Sequence, residues 1–239
     1  MRSLLRQLLP LAGILLSGGL GCQRSPLRDG LPAKLDCSSC HGNKDNAAPP
    51  LALNGSTSTS DNGVGAHQSH MTGGSISAPV ACEECHPVPT LMDGDHHPPP
   101  LPRPTEMSFG PLAQTGGATP AWNRTKGTCT NTYCHGANLP GTFVPAAPRW
   151  TRVDGSQIKC NSCHGISPAD LGGKHPLHTA YTCDTCHTRV TSADLTITHR
   201  SLHVDGEVDV SMAAGTWDPV TRTCADTDTT NGCHGSNPW

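Results

Sequence analysis

The chain has 239 residues, of which 34% are hydrophobic, 15% charged and 3% aromatic, with 26 Gly and 22 Pro. Ordinary globular domains carry roughly 25% charged residues and more large apolar side chains, so two Phe and two Tyr leave too little material for a conventional core. The charge is still too low for a solvated disordered tail, and a formal net charge of −3 gives no basic footprint, which excludes nucleic acid as a partner.

Residues 1–21 open with Met1-Arg2 and a second cation at Arg6, continue through an apolar run over residues 8–16, and end in Gly19-Leu20-Gly21 before Cys22. A charged start, a short apolar run and small residues at a cleavage point describe a secretory signal, too short to span a bilayer permanently. Cys22 stands where a bacterial lipoprotein signal carries its acylated cysteine, which makes it the expected lipid anchor, followed by a linker over residues 22–29. A plain cleaved signal is the alternative. Gln23 rather than Asp at the next position favours the outer membrane, at its periplasmic or outer face.

Twelve further cysteines form six pairs. Cys37-Ser-Ser-Cys40-His41, Cys82-Glu-Glu-Cys85-His86, Cys160-Asn-Ser-Cys163-His164 and Cys183-Asp-Thr-Cys186-His187 are four copies of C-x-x-C-H. That is the attachment motif of c-type haem, in which two thiols bond the porphyrin vinyl groups and the adjoining His ligates iron. Cys129 to Cys134-His135 has four intervening residues, and Cys224 to Cys233-His234 has eight. The His must follow the second Cys directly, because that tether holds the imidazole under the iron, whereas the first Cys only has to reach the other vinyl and its gap can loop out. All six pairs keep the rigid half of the rule. Zinc ribbons also use C-x-x-C but do not need a His after each second Cys, and a disulfide across C-x-x-C is mainly a redox device. For the two long-gap pairs a disulfide stays open, so four haems are the minimum and six the expectation.

The pattern is duplicated. Trp122 and Trp217 each lie seven residues before the first Cys of a long-gap pair, and a His-x-x-His precedes the second short motif of each half, His67 and His70 in one, His175 and His178 in the other. Two tandem three-haem modules follow, over residues 30–145 and 146–239. Six of the 14 His are consumed by the motifs, leaving His67, His70, His96, His97, His175, His178, His199 and His203. Three haems per module need at most three distal ligands, so every iron can be bis-histidine. His97 and His203 are taken as the third distal ligands, although spacing alone does not separate them from His96 and His199. Met71, Met92, Met107 and Met212 are not required. Pro-rich residues 98–102 and the polar stretch 54–65 read as loops, and no 12-residue window carries a helical stripe. The expected fold is mostly irregular coil with short helical turns at each Cys-His, cored by haem.

The run from Gly127-Thr128-Cys129 to Tyr133-Cys134-His135-Gly136, Trp150, then Lys159-Cys160-Asn161-Ser162-Cys163-His164-Gly165, resembles the CxxxxCH/CxxCH-domain multihaem c-type cytochromes, abundant in metal-reducing bacteria. Residues 203–210 also resemble that family's stretch after its second short motif. The eight-residue gap at Cys224 and the Pro-rich insert after His97 depart from it. The resemblance implies extracytoplasmic electron transfer. Its implied partners are other cytochromes or redox proteins, an outer-membrane porin complex, an extracellular metal oxide, or further copies in a homopolymer. The expected role is therefore an electron carrier and not an enzyme. The rivals are a reductase of a small nitrogen or sulfur oxyanion with one open haem, and a structural subunit of a filament or porin complex. Cys22→Ser is expected to move the protein from the membrane fraction to the soluble fraction; unchanged fractionation would refute the lipid anchor.

Overall fold

A computed structural model describes residues 42, 51–52, 54–88, 106–213, 215–225 and 239. The chain divides into units 1–33 and 34–239, and all described residues belong to the second. The signal segment, Cys22, the first motif with Cys37, Cys40 and His41, and His96, His97, Cys233 and His234 lie outside the described residues.

Regular structure is sparse, as the Gly and Pro content requires. The longest described helix, α1, covers His67–Thr72, well below the roughly 12–15 residues at which an isolated helix becomes stable. It stops at Gly73, in the left-handed conformation at φ 69°. A single turn, α2, covers Cys183–Cys186, and 3-10 turns carry Cys82–Glu84 and Tyr133–His135. The short helical turns expected at the Cys-His motifs are therefore present at these three.

Two small hairpins were not foreseen. β1 (Ala121–Asn123) pairs antiparallel with β2 (Thr128–Thr130), and β3 (Thr216–Asp218) pairs with β4 (Thr223–Ala225). Strands of three residues are too short to show an alternating pattern, so only their turns could have marked them. In the first turn Asn123 Oδ1 accepts from Lys126 N at 2.9 Å, and in the second Asp218 Oδ1 accepts from Val220 N at 2.8 Å, the Asx geometry that starts a tight turn. The registers match: Trp122 is opposite Cys129, and Trp217 is opposite Cys224.

Side chains supply almost no core. Among the described residues the buried hydrophobics are Ala52, Val64, Ala113, Ala118 and Val190, and no large side chain is fully buried. Stability of this unit must come from elsewhere, as the composition indicated. The two sequence modules also interlock. Trp150 Nε1 donates to Asn62 O at 2.9 Å, His203 Nδ1 donates to Ile76 O at 2.7 Å, and Arg200 reaches Thr72 O and Gly74 O.

Gly65 makes one of these contacts feasible. A Cβ there would sit 2.0 Å from Trp150 Nε1, and the residue adopts φ +42°. Gly65→Ala is expected to cost about 1–3 kcal/mol from overpacking, measured by chemical unfolding. Gly74→Ala is its control, since Gly74 has φ +57° but nothing within 4 Å, and should cost only about 1–2 kcal/mol of backbone strain. Equal losses would show that the indole contact does not constrain Gly65.

Candidate functional site

Among the described residues no disulfide joins Cys82, Cys85, Cys129, Cys134, Cys160, Cys163, Cys183, Cys186 and Cys224 to one another. Burial pushes the Cys85 thiol up to about 11, with Glu84 and Cys82 adding to it. Cys129 is raised to about 11 and Cys134 to about 12, again by burial first and then by the neighbouring Cys85. Burial also raises Cys163. These groups are held neutral, the reverse of the lowered pKa that activates a thiolate for redox exchange or metal binding. The influence of Cys85 on Cys129 and Cys134, and of Cys163 on Cys134, also shows that thiols from three motifs lie near one another.

The imidazoles are prepared in a common way. The Nδ1 atoms of His67, His70, His175 and His178 lie 2.7–2.9 Å from the carbonyl oxygens of Val64, Ala66, Gly172 and Lys174. His86 Nδ1 meets Glu106 O at 3.1 Å, His164 Nδ1 meets Gly165 O at 2.7 Å, and His187 Nδ1 meets Asp209 O. A carbonyl oxygen can only accept, so each Nδ1 carries the proton and the ring's lone pair sits on Nε2. This is the orienting bond that metal-ligating histidines make with their second nitrogen. Burial lowers His135 to about 4, with the neighbouring His70 adding to it, so this ring is unprotonated at neutral pH. Burial also lowers His203.

Three motif histidines each face one of the spare histidines. Ring centres of His67 and His86 are 6.2 Å apart, of His70 and His135 6.1 Å, and of His164 and His203 6.3 Å. Two imidazoles bound through Nε2 on opposite sides of one metal ion, with metal–nitrogen bonds of about 2.0 Å, have ring centres about 6 Å apart. Each pair therefore has a spacing at which both rings could ligate one metal ion through Nε2. Among the described residues no three His, Cys, Asp or Glu side chains converge on one metal site. Beside His135 and Cys163 opens a cavity of about 1000 Å³ lined by Phe143, Val144 and Pro148 and by the cations Lys126, Arg149 and Lys159, a lining that suits a flat apolar body bearing carboxylates.

Residues 128–164 match the family described as the Geobacter CxxxxCH...CXXCH motif. The segment carries the haem c attachment of a c-type cytochrome. No curated protein and no solved structure matches the chain. Haem c fits the residues present. In the cytochrome segment itself, Cys129, Cys134, Cys160 and Cys163 would tether it, and His135 and His164 would ligate iron.

The positions of the remaining sequence-predicted residues differ. Cys82, Cys85 and His86 stand with His67, but among the described residues no second imidazole stands across from His187, whose motif thiols are Cys183 and Cys186. His175 and His178 lie against Trp239, at 5.2 and 4.9 Å between ring centres. Cys224 is in place on β4, while its partner motif residues lie outside the described residues. His199 differs from His203. It is exposed, and its Nδ1 lies 3.3 Å from the side chain of Thr198 and not against a carbonyl. Sequence reasoning named Trp150 only within the family resemblance, did not place it against the histidines, and missed Trp239 altogether. Trp150 follows His135 by 15 residues and Trp239 follows His234 by five, so no fixed spacing marked them. In the haem-loaded protein, His203→Ala is expected to convert one haem per chain to a high-spin form that binds carbon monoxide, while His199→Ala leaves the spectrum low-spin; the reverse pattern would transfer the ligand role to His199.

Proposed function

We propose that this protein is a six-haem electron carrier, held outside the cytoplasm by a lipid on Cys22, that passes electrons from haem to haem. The observation that carries the reading is the set of three facing imidazole pairs, His67 with His86, His70 with His135, and His164 with His203. The same order extends by the sequence repeat to the other haems: His97 with His41, His175 with His187, and His178 with His234. In each half the first histidine of His-x-x-His serves the second motif, the second serves the long-gap motif, and the histidine after the second motif returns to the first.

Haem, when bound, supplies a one-electron iron couple whose potential is set by its axial ligands and surroundings. The chain's own part is to tether, orient and enclose. Paired cysteines fix each ring covalently, the Nδ1–H bonds hold Nε2 toward the iron, and two histidines per iron leave no open position for a substrate. That arrangement suits outer-sphere transfer, with little ligand rearrangement between redox states. The near approach of thiols from the motifs at Cys85, Cys134 and Cys163 supports short steps between neighbouring haems. C-type cytochrome domains of this kind are extracytoplasmic, and no helix among the described residues is long and apolar enough to cross a membrane, in keeping with anchoring by lipid. Other redox proteins, a porin complex or an extracellular metal oxide are the proposed exchange partners.

One feature favours the second reading, a reductase of a small nitrogen or sulfur oxyanion: His187 lacks a facing imidazole among the described residues, so an open haem would lie there. The two readings separate on the purified protein. The pyridine haemochrome assay with intact mass is expected to give six haems per chain, and reduced spectra are expected to be unaltered by carbon monoxide. A count of four would remove the long-gap sites, and one carbon-monoxide-binding haem would favour the reductase.

A further inference from the structure

One cluster recurs around both His-x-x-His runs and includes two tryptophans that take no part in the ligand assignments above. Each His-x-x-His is preceded by a glycine two residues upstream, giving Gly65-Ala66-His67 to His70 and Gly173-Lys174-His175 to His178. A tryptophan lies over both histidines of each run. Trp150 meets His67 edge-on, with ring centres 4.7 Å apart and planes at 88°, and His70 at 5.6 Å and 33°. Trp239 meets His175 at 5.2 Å and 73°, and stacks on His178 at 4.9 Å and 16°.

The seating of the two indoles is duplicated as well. Trp150 N donates to Gly127 O at 2.7 Å, and Trp239 N donates to Arg222 O at 2.9 Å. Those carbonyls lie two residues before Cys129 and Cys224, the first cysteines of the two long-gap pairs. Each indole also meets a hairpin tryptophan at 6.4 Å, Trp150 with Trp122 at 80° and Trp239 with Trp217 at 83°. The indole N–H groups are used, Trp150 Nε1 on Asn62 O at 2.9 Å and Trp239 Nε1 on Cys224 Sγ at 3.2 Å. A ring held by its backbone, its N–H and a second aromatic is a fixed wall.

An imidazole turns easily about its last side-chain bond, where the torsional wells are broad. A single Nδ1–H bond on a short helix or 3-10 turn limits that rotation incompletely, and an aromatic wall against the ring removes what is left. We propose that Trp150 and Trp239 are positioning residues that lock the ring planes of both histidines in their G-x-H-x-x-H runs. In the first half the two rings face different partners, His86 and His135, so a single indole sets the axial geometry of two irons. The proposal rests on the bis-histidine reading above. It adds a physical consequence, because the angle between the two axial imidazole planes sets the splitting of the iron d orbitals and thereby the ferric electron paramagnetic resonance lines and the reduction potential. The planes of His67 and His86 are 29° apart, and those of His70 and His135 are 74° apart.

The test compares wild-type holoprotein with Trp150→Leu by electron paramagnetic resonance and redox titration, with haem count and spin state measured on the same samples. At full haem count and with the haems still low-spin, the lines and potentials of two haems should shift while the other four stay in place. Trp150→Phe, which keeps a flat ring, should restore most of the wild-type pattern, and Trp239→Leu should move a different two. Should Trp150→Leu not accumulate, Gly65→Ala displaces the indole without altering it and should disturb the same two haems. Superimposable lines and potentials in the variants, with a wild type that is fully low-spin, would overturn the positioning role alone. A wild type with high-spin haem or fewer than six haems would instead overturn the ligand reading beneath it.

Discussion

Everything in this molecule depends on histidine rings held with Nε2 presented and Nδ1 engaged. The bond from Nδ1–H to a backbone carbonyl recurs at His67, His70, His86, His164, His175, His178, His187 and His203. It links chain folding to cofactor binding, since the same carbonyl that ends a turn also orients a ligand. A chain with five small buried hydrophobics and no fully buried large side chain among its described residues cannot hold such rings by packing alone. In the haem-loaded protein, covalent tethers and paired axial bonds would supply the crosslinks, and metal-ligand formation would then count directly as folding free energy.

Duplication explains why so little regular structure suffices. The hairpins β1–β2 and β3–β4 place a tryptophan opposite the first cysteine of each long-gap pair, and a second tryptophan returns to the carbonyl two residues before that cysteine. Trp150 lies beyond residue 145, where the sequence divides the modules, yet it packs on His67, His70 and Trp122 of the first half. His203 and Arg200 of the second half likewise dock on residues 72–76. The halves are therefore built alike and support each other across their boundary within one unit.

The cofactor motifs were legible in sequence because their chemistry is local: a thiol three, five or nine positions from the next, and an imidazole adjoining it. Ligand pairing was not. His67 and His70, three apart, lie on the same side of a helix, which suggests one shared partner, whereas the structure points them at His86 and His135. The choice between His199 and His203 was also hidden, since it turns on a carbonyl at Ile76 more than a hundred residues away. The hairpins escaped notice because three-residue strands carry no periodicity. Trp150 and Trp239 escaped because the loops before them differ in length. The general expectation of irregular coil with short turns followed from composition alone.

Burial that holds Cys85, Cys129 and Cys134 as neutral thiols and His135 as a neutral ring is consistent with the same scheme, in which these groups await bond formation and do not titrate. The most direct test of the account is an experimental structure of the haem-loaded protein. It should show His67 and His86, His70 and His135, and His164 and His203 on opposite sides of three separate irons. Finding His67 and His70 on the same iron, or any of these six rings away from a haem, would contradict it.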